Sequence, residues 1–191
     1  MAERSRGRFP FRIALTGGST PRRVYERLAE LPLDWGSWHV WWSDERLVPP
    51  EHPDSNERLA RESLLSRVPI PEAQIHPLRS PAAELPERFD LVLLGLGPDG
   101  HTASLYPSHE AELADPGPVV HVPVPGHPPP HPRLSFSLPY LNAQPLVALL
   151  VGGEDKREIL ARVLAGDERL PAARVRAEET VVLADTAAAP K

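Results

Sequence analysis

An acid and a histidine lie close together in a glycine-rich turn that follows an apolar run. The run is Phe89 to Leu94, and the turn is Gly95-Leu96-Gly97-Pro98-Asp99-Gly100-His101. Histidine titrates close to neutral pH, so His101 could act as a general base or acid, with Asp99 to orient it. Ligands of α/β proteins bind at the carboxyl ends of strands, where this turn is predicted to lie. A tight turn with incidental polar residues is the alternative interpretation.

A second glycine-rich turn carries two hydroxyl residues ahead of a predicted helix. Gly17, Gly18, Ser19 and Thr20 follow the short apolar run from Arg12 to Leu15. Glycines let the backbone approach a ligand, and the N–H groups at a helix N-terminus favour an anion such as phosphate. The glycine spacing matches neither a Walker loop nor a dinucleotide-binding fingerprint. A strand end followed by an ordinary helix cap is the alternative interpretation of this turn.

Four charged side chains outside these turns could complete a site for a phosphorylated ligand. Asp44 could orient a reacting group, and Arg46 could hold an anion through its planar guanidinium. Arg133 and Lys156 are cations of the kind that combine with N–H groups in phosphate recognition. Each of the four could equally be a solvated surface charge, and the sequence does not show whether they meet.

Strand-like and helix-like segments alternate along the chain. The predicted strands are residues 12–15, 38–42, 89–94, 119–124, 146–151 and 180–184. A hydroxyl cap with Pro21 at the first helical position predicts one helix, and Asp54 to Glu57 has the pattern of a second helix start. A third helix is predicted over Glu154 to Ala165, with an apolar face of Ile159, Leu160, Val163 and Leu164. This alternation predicts one doubly wound α/β domain with a mostly parallel sheet covered on both faces.

Composition excludes several kinds of site and partner. The 191-residue chain has no cysteine, so disulfides, thiolate metal sites and a cysteine nucleophile are excluded. A net charge of −5 argues against nucleic acid as a partner. Met1 to Phe11 lacks a secretory signal and no segment suits a bilayer, so we expect a cytoplasmic protein without a membrane partner. The 25 prolines and single methionine suit either a heat-adapted protein or a GC-rich genome.

Five motifs follow one another along the chain. They are Leu15-Thr16-Gly17-Gly18-Ser19-Thr20-Pro21, Ser43-Asp44-Glu45-Arg46 with Val48-Pro49 and Ser55-Asn56, Gly95 through Pro107, Arg133 before Leu134-Ser135-Phe136, and Gly152 through Lys156. Together they resemble the 6-phosphogluconolactonase branch of the glucosamine-6-phosphate isomerase/6-phosphogluconolactonase family. They occur in the family's order and span Arg12 to Ala184. The resemblance implies a Rossmann-like fold and a phosphorylated sugar lactone as partner. It also implies hydrolysis of 6-phosphogluconolactone to 6-phosphogluconate in the oxidative pentose phosphate pathway, by an ester hydrolase without a cofactor.

The chemistry of a lactone gives each candidate residue a predicted role. A δ-lactone is an activated ester, so its hydrolysis needs a positioned water, a base and stabilisation of the oxyanion, without a metal. We predict that His101 takes a proton from water and returns it to the leaving ring oxygen. Asp99 would orient His101, and Arg46 would stabilise the developing negative charge. The predicted substrate and phosphate contacts are Gly17, Gly18, Ser19, Thr20, Asp44, Arg133 and Lys156.

Two other functions stay open in the sequence. The deaminase branch of the same family carries Asn-Glu-Pro shortly after the Asp-Gly-His turn, and a tyrosine after its Asp-Glu pair. This chain has Leu105-Tyr106-Pro107 and Arg46 at those places, and both differences favour the lactonase. A non-catalytic sugar-phosphate sensor would need a DNA-binding domain, which Met1 to Phe11 is too short to supply.

The resemblance also predicts how the chain is organised. Members of the family usually have a further strand and helix before the strand that leads into Gly17, and this sequence begins almost at that strand. We expect a basic tail at 1–11, a lactonase-like domain at 12–186 and a C-terminal tail at 187–191. We expect a monomer, with a dimer as the alternative because an uncovered sheet edge could pair with a second chain. His127 and His131 flank a proline run without further ligands at metal spacing, so we predict a solvated loop and no metal.

Overall fold

The computed structural model describes residues 10–123 and 130–190. Within these ranges lie eight strands: β1 (Phe11–Leu15), β2 (Trp38–Trp42), β3 (Asp44–Arg46), β4 (Leu91–Gly95), β5 (Val119–Val122), β6 (Arg133–Phe136), β7 (Leu146–Val151) and β8 (Glu179–Ala184). The same ranges form five α-helices: α1 (Ser19–Leu28), α2 (Asn56–Ser63), α3 (Glu110–Leu113), α4 (Leu138–Asn142) and α5 (Arg157–Leu164). Strands and helices alternate as the sequence predicts, and the α/β class is confirmed.

Five parallel strands form the central sheet, in the order β2-β1-β4-β7-β8. All six residues of β7, Leu146 to Val151, are buried, as expected for a strand covered on both faces of a parallel sheet. Four of the five residues of β4 are buried as well. Because these strands run in the same direction, their carboxyl ends lie at one edge of the sheet. The loops that follow β1, β4 and β7 therefore meet at that edge.

The edge strand β8 departs from the prediction that both faces of the sheet are covered. None of its six residues is buried, and Leu183 is 48% exposed. A groove beside this strand is lined by Leu183 and by Val24, Leu28 and Leu31 from α1 and the residues that follow it. The prediction is therefore correct for β7 and wrong for β8, because the described helices leave this edge strand accessible to solvent.

A second sheet, which the sequence analysis does not predict, contains three antiparallel strands in the order β3-β6-β5. The strand predicted at 119–124 belongs to this sheet and ends at Val122. Within the sheet, Arg46 of β3 lies directly opposite Arg133 of β6. The small sheet thus brings together two predicted site residues that are far apart in the chain.

The start of α1 differs from its prediction. The helix begins at Ser19, and Gly18 is the capping residue with a φ of 112°. No side chain caps the helix, so neither Ser19 nor Thr20 acts as the predicted hydroxyl cap, and Pro21 is the third helical residue. The left-handed φ of Gly18 turns the chain directly from the strand end into the helix. The first N–H groups of α1 consequently have no partner within the helix.

The other two predicted helices are present with altered ends. Ser55 caps α2 by accepting a hydrogen bond from the N–H of Arg58. A 3₁₀ turn at Glu154–Lys156 precedes α5. Leu164, predicted on the apolar face of α5, is 58% exposed because the helix ends there and the chain reverses at Gly166, whose φ is 76°. The remaining face residues of α5 are buried: Ile159, Leu160 and Val163.

Tryptophan side chains fill much of the core on the β2 side. Trp38 and Trp42 are fully buried, and the ring centroid of Phe11 lies 4.9 Å from that of Trp38.

In the segment predicted as a C-terminal tail, Ala188 is buried and its N–H donates to Oδ1 of Asp185 at 2.7 Å. No helix within the described ranges is long and apolar enough to cross a membrane.

Candidate active site

A cavity of about 230 Å³ lies at the carboxyl edge of the central sheet. Nine of the ten predicted site residues line it: Gly17, Gly18, Ser19, Thr20, Asp44, Arg46, His101, Arg133 and Lys156. The tenth, Asp99, contacts the His101 side chain. The parallel sheet brings the glycine-rich loops together, and the antiparallel sheet adds the residues of β3 and β6. The predicted site residues therefore lie at one cavity, and the role of each residue remains a prediction.

The side chains of His101 and Asp99 form a hydrogen-bonded pair within one turn. Nδ1 of His101 lies 2.5 Å from Oδ1 of Asp99, and the N–H of His101 donates to the same oxygen at 3.1 Å. Burial raises the pKa of Asp99, but the hydrogen bond and the charge of His101 outweigh burial and bring that pKa to about 2. Asp99 is thus a carboxylate at neutral pH, so Nδ1 carries the proton of this hydrogen bond. Nε2 is then the basic nitrogen of a neutral His101.

Glycine is required at Gly97 because the His101 ring packs against its backbone. A Cβ added at this position would lie 2.1 Å from both Nδ1 and Cε1 of His101. The N–H of Gly97 also donates to the carbonyl of His101 at 2.8 Å. Gly100, with a φ of 85°, supplies the left-handed backbone inside the turn. The glycines therefore fix the place of the imidazole as well as the shape of the loop.

Tyr106 occupies the position where the deaminase motif would supply an acid, and it packs beside His101. The two ring centroids are 4.6 Å apart, and Cζ of Arg133 lies 5.9 Å from the tyrosine ring centroid. Burial raises the pKa of the Tyr106 hydroxyl, so the side chain is neutral around pH 7. Tyr106 therefore supports the imidazole sterically and adds no carboxylate to the cavity.

Two arginines on neighbouring strands of the small sheet both line the cavity. Arg46 and Arg133 occupy opposed positions of β3 and β6. Burial of Arg133 lowers its pKa, and the nearby charge of Arg46 adds to that effect. An arginine still remains protonated, so this pair places two positive charges side by side, which destabilises a sheet. A bound anion would relieve that repulsion.

Asp44 is held by two polar neighbours, neither of which was predicted as a site residue. Its Oδ2 accepts from Ser104 Oγ at 2.8 Å, and Asn56 Nδ2 donates to its carbonyl at 2.9 Å and to its Oδ1 at 3.3 Å. Asn56 is fully buried, lines the cavity and lies so close to Gly17 that a Cβ there would be 1.9 Å from Asn56 Oδ1. In the sequence, Asn56 belongs to the family motif Ser55-Asn56 and to a predicted helix start, but no role in the site was predicted for it. Its place in that motif is the signal that could have identified it.

The part of the cavity formed by the start of α1 and by Lys156 has features that favour an anion. The N-terminus of α1 opens onto it, and the first turn of this helix contains no acidic residue. The N–H groups of Ser19 and Thr20 and the dipole of a ten-residue helix both favour negative charge there. Lys156 lines the same cavity from the loop after β7, with its Nζ 3.5 Å from Oδ2 of Asp155.

Tyr25 fixes the backbone that leads into this turn. Its hydroxyl accepts from the N–H of Thr16 at 2.9 Å and donates to the carbonyl of the same residue at 2.8 Å. Tyr25 is fully buried, and burial raises its pKa well above the ordinary value, so the hydroxyl keeps its proton. No sequence pattern indicates this contact, because an aromatic residue within an amphipathic helix is usually only a packing residue.

Fold and cavity together define an α/β protein with a histidine–carboxylate pair and a cationic pocket at the carboxyl ends of parallel strands. Comparison with known proteins places the chain more closely. It matches the family model described as glucosamine-6-phosphate isomerases/6-phosphogluconolactonase over residues 1–183. The chain belongs to this family, as the motifs of the sequence predict.

Relatives named 6-phosphogluconolactonase match most of this chain. A 6-phosphogluconolactonase of Synechocystis sp. is 42% identical over 187 residues, covering 86% of this chain and 74% of the relative. That of Nostoc sp. is 41% identical over 186 residues, covering 86% and 75%. The crystal structure of 6-phosphogluconolactonase from Thermotoga maritima superposes with a TM-score of 0.81 at 34% identity, covering 93% of this chain and 86% of that one. This structural likeness confirms the predicted fold class.

Proposed function

We propose that the chain hydrolyses 6-phospho-D-glucono-1,5-lactone to 6-phospho-D-gluconate, the lactone-opening step of the oxidative pentose phosphate pathway. The observation that carries the proposal is that the cavity beside the His101–Asp99 pair is also lined by a helix N-terminus and a lysine. The His101–Asp99 pair suits proton transfer, and the helix N-terminus with the lysine suits a phosphate group. Relatives more than 40% identical that are named 6-phosphogluconolactonase support the same activity.

His101 acts as the base in this proposal. Its Nε2 accepts a proton from a water molecule while the water oxygen forms a bond to the lactone carbonyl carbon. The resulting tetrahedral intermediate carries negative charge on the former carbonyl oxygen. When this intermediate collapses, the bond from carbon to the ring oxygen breaks, and the protonated His101 gives its proton to that oxygen. The products are the open-chain hydroxyl and a carboxylic acid, which ionises in solution.

Asp99 keeps the imidazole in the tautomer that this reaction needs. Its carboxylate accepts from Nδ1, so the lone pair of a neutral His101 is on Nε2. The same carboxylate stabilises the positive charge that His101 acquires after it takes the proton. Neither step requires Asp99 itself to be protonated, in agreement with its pKa of about 2.

The cations of the cavity have two roles in this proposal: some stabilise charge at the reacting carbonyl, and others bind the phosphate. Arg46 and Arg133, paired on β3 and β6 and lining the cavity, stabilise the oxyanion and the sugar oxygens electrostatically. Lys156 and the N–H groups of Ser19 and Thr20 bind the phosphate. Binding energy from the phosphate then orients the lactone ring against His101, which raises the rate of the chemical step. Asp44 accepts hydrogen bonds from sugar hydroxyls.

The deaminase reaction is less well supported. Tyr106, a buried neutral side chain, stands where that branch carries a glutamate, so the cavity lacks that proton-transfer group. An assay on freshly generated 6-phosphogluconolactone, corrected for spontaneous opening, tests the proposal, with unphosphorylated gluconolactone as the comparison substrate. We expect hydrolysis with a strong preference for the phosphorylated lactone. Ammonia release from glucosamine 6-phosphate without lactone hydrolysis would overturn the proposal. A cytoplasmic location and a monomeric state remain predictions.

A further inference from the structure

A cluster of two imidazoles and one carboxylate lies beside the catalytic cavity rather than in it. His52 and Asp54 belong to the loop between β3 and α2, and His131 belongs to the segment just before β6. One ligand atom from each of these three side chains lies within 4.8 Å of the others. Nε2 of His131 is 2.9 Å from Oδ2 of Asp54, and Nδ1 of His52 is 3.8 Å from the same oxygen. The cluster forms because the fold joins positions that are remote in the sequence.

His131, for which the sequence shows no further ligand at metal spacing, has His52 and Asp54 close to it in the folded chain. His131 and Asp54 are 77 positions apart, which is why no spacing rule connects them. His127, the other histidine beside the proline run, lies outside the described residues.

The donor set matches a particular class of cation. Two imidazole nitrogens and one carboxylate oxygen are typical ligands of Zn²⁺ and of related first-row divalent ions, whereas Mg²⁺ prefers oxygen ligands alone. Ligands about 2.0–2.1 Å from a tetrahedral Zn²⁺ lie about 3.3 Å from one another. The separations of 2.9 and 3.8 Å fall on either side of that value. We infer that His52, Asp54 and His131 form a binding site for Zn²⁺, with water as the remaining ligand.

The protonation state of His52 agrees with a ligand role. Its Nδ1 accepts a hydrogen bond from the N–H of Asp54 at 3.1 Å, so this nitrogen carries a lone pair and no proton. A metal ion must displace that amide contact to use the lone pair. The three side chains are partly exposed, so an ion can reach them directly from solvent.

The position of the cluster suggests what the ion would do. Nη1 of Arg46 donates to the carbonyl of Asp54 at 2.6 Å, and the N–H of Leu47 donates to the carbonyl of Pro132 at 2.8 Å. A Zn²⁺ ion on the cluster would join the two loops that carry these groups. It would therefore stabilise the arginine side of the cavity from outside, without contacting the lactone or taking part in proton transfer.

Isothermal titration of the chelator-treated protein with Zn²⁺ tests this site directly and does not depend on lactone turnover. We expect one Zn²⁺ per chain, a rise in unfolding temperature on binding, and no comparable effect of Mg²⁺. His131→Ala and His52→Asn should each weaken the affinity at least tenfold, because two ligands remain instead of three. His121→Ala is the matched control, since His121 is an exposed histidine on β5. Circular dichroism of each variant without metal shows whether it is folded.

Substitution by Co²⁺ gives an independent readout of the ligands. Visible absorption of bound Co²⁺ should show low-coordinate nitrogen and oxygen ligation in the wild type and in His121→Ala, and should be lost in His131→Ala. Equal Zn²⁺ affinity in the wild type and in both cluster variants would overturn the inference, because binding would then be adventitious. The absence of stoichiometric binding to the wild type would overturn it as well.

Discussion

Nδ1 of His101 lies 2.5 Å from Oδ1 of Asp99, and the two residues share a single turn after β4. The short chain between them means that the carboxylate and the imidazole are positioned by the same few backbone torsions. This pairing sets the tautomer of the histidine and holds its ring against Gly97. The proposed proton transfer by His101 depends on that relationship more than on any other contact in the cavity.

Replacing Asp99 by Asn tests the pairing. An amide can present its NH₂ group to Nδ1, which would favour the tautomer with the proton on Nε2 and remove the basic lone pair from the cavity. We expect kcat to fall by about 10²-fold or more, with KM changed by less than about threefold. Steady-state lactone hydrolysis measures both constants. Asp34→Asn, at an exposed carboxylate that does not line the cavity, is the control, and an Asp99→Asn enzyme of normal kcat would contradict the assigned role.

The same carboxylate should make stability depend on acid pH. Asp99 has a pKa of about 2 in the folded protein, below the value of about 3.9 for an unfolded chain. A depressed folded pKa stabilises the fold above the unfolded pKa, and this contribution is lost as the pH falls from about 4 to about 2. Asp99→Asn should therefore unfold at lower urea concentration than the wild type at pH 6. The difference should shrink below pH 3, and a difference that grew on acidification would contradict the sign.

Gly97→Ala tests the close packing of the imidazole. The new methyl group would lie 2.1 Å from two atoms of His101, so the ring must move away from its present position. We expect kcat to fall more than tenfold while the far-ultraviolet circular dichroism keeps its shape. Gly36→Ala is a suitable control, because the nearest atom to its added Cβ is 3.8 Å away. Wild-type turnover by Gly97→Ala would show that the position of the ring is not critical.

Lys156→Ala tests the assignment of the phosphate end. Loss of this cation should raise KM for the phosphorylated lactone about tenfold or more and leave the hydrolysis of unphosphorylated gluconolactone unchanged. Arg27→Ala removes an exposed cation of α1 and should change the hydrolysis of neither lactone. If Lys156→Ala slowed the hydrolysis of both lactones equally, Lys156 would not act at the phosphate.

The central sheet could be predicted well because its strands are apolar and regular. The limits of β7 agree with the structure at both ends, and those of β1 and β8 differ by one residue. The cap of α1 was predicted wrongly, because the left-handed conformation of Gly18 replaces a hydroxyl cap. Nothing in the sequence pattern reveals β3, which has three residues, all charged, and pairs with a strand about ninety positions away.

The candidate site could be predicted as a set of residues but not as an arrangement. Glycine-rich strand ends and charged motifs indicated the residues, and the sheet explains why their loops meet. The opposition of Arg46 and Arg133 depends on the register of the second sheet, which local sequence does not determine. The roles of Asn56 and Tyr25 were not predicted, because they arise from contacts with Asp44 and Thr16 that only the folded chain creates.

Hydrolysis of 6-phosphogluconolactone by His101→Ala is the most direct test of the central claim that this imidazole is the base. The measurement is the enzyme-dependent rate on fresh lactone, after subtraction of spontaneous opening, at saturating substrate. We expect kcat to fall by about 10²–10⁴-fold, with folding unchanged and His121→Ala at wild-type activity. A His101→Ala enzyme with near wild-type kcat would contradict the mechanism.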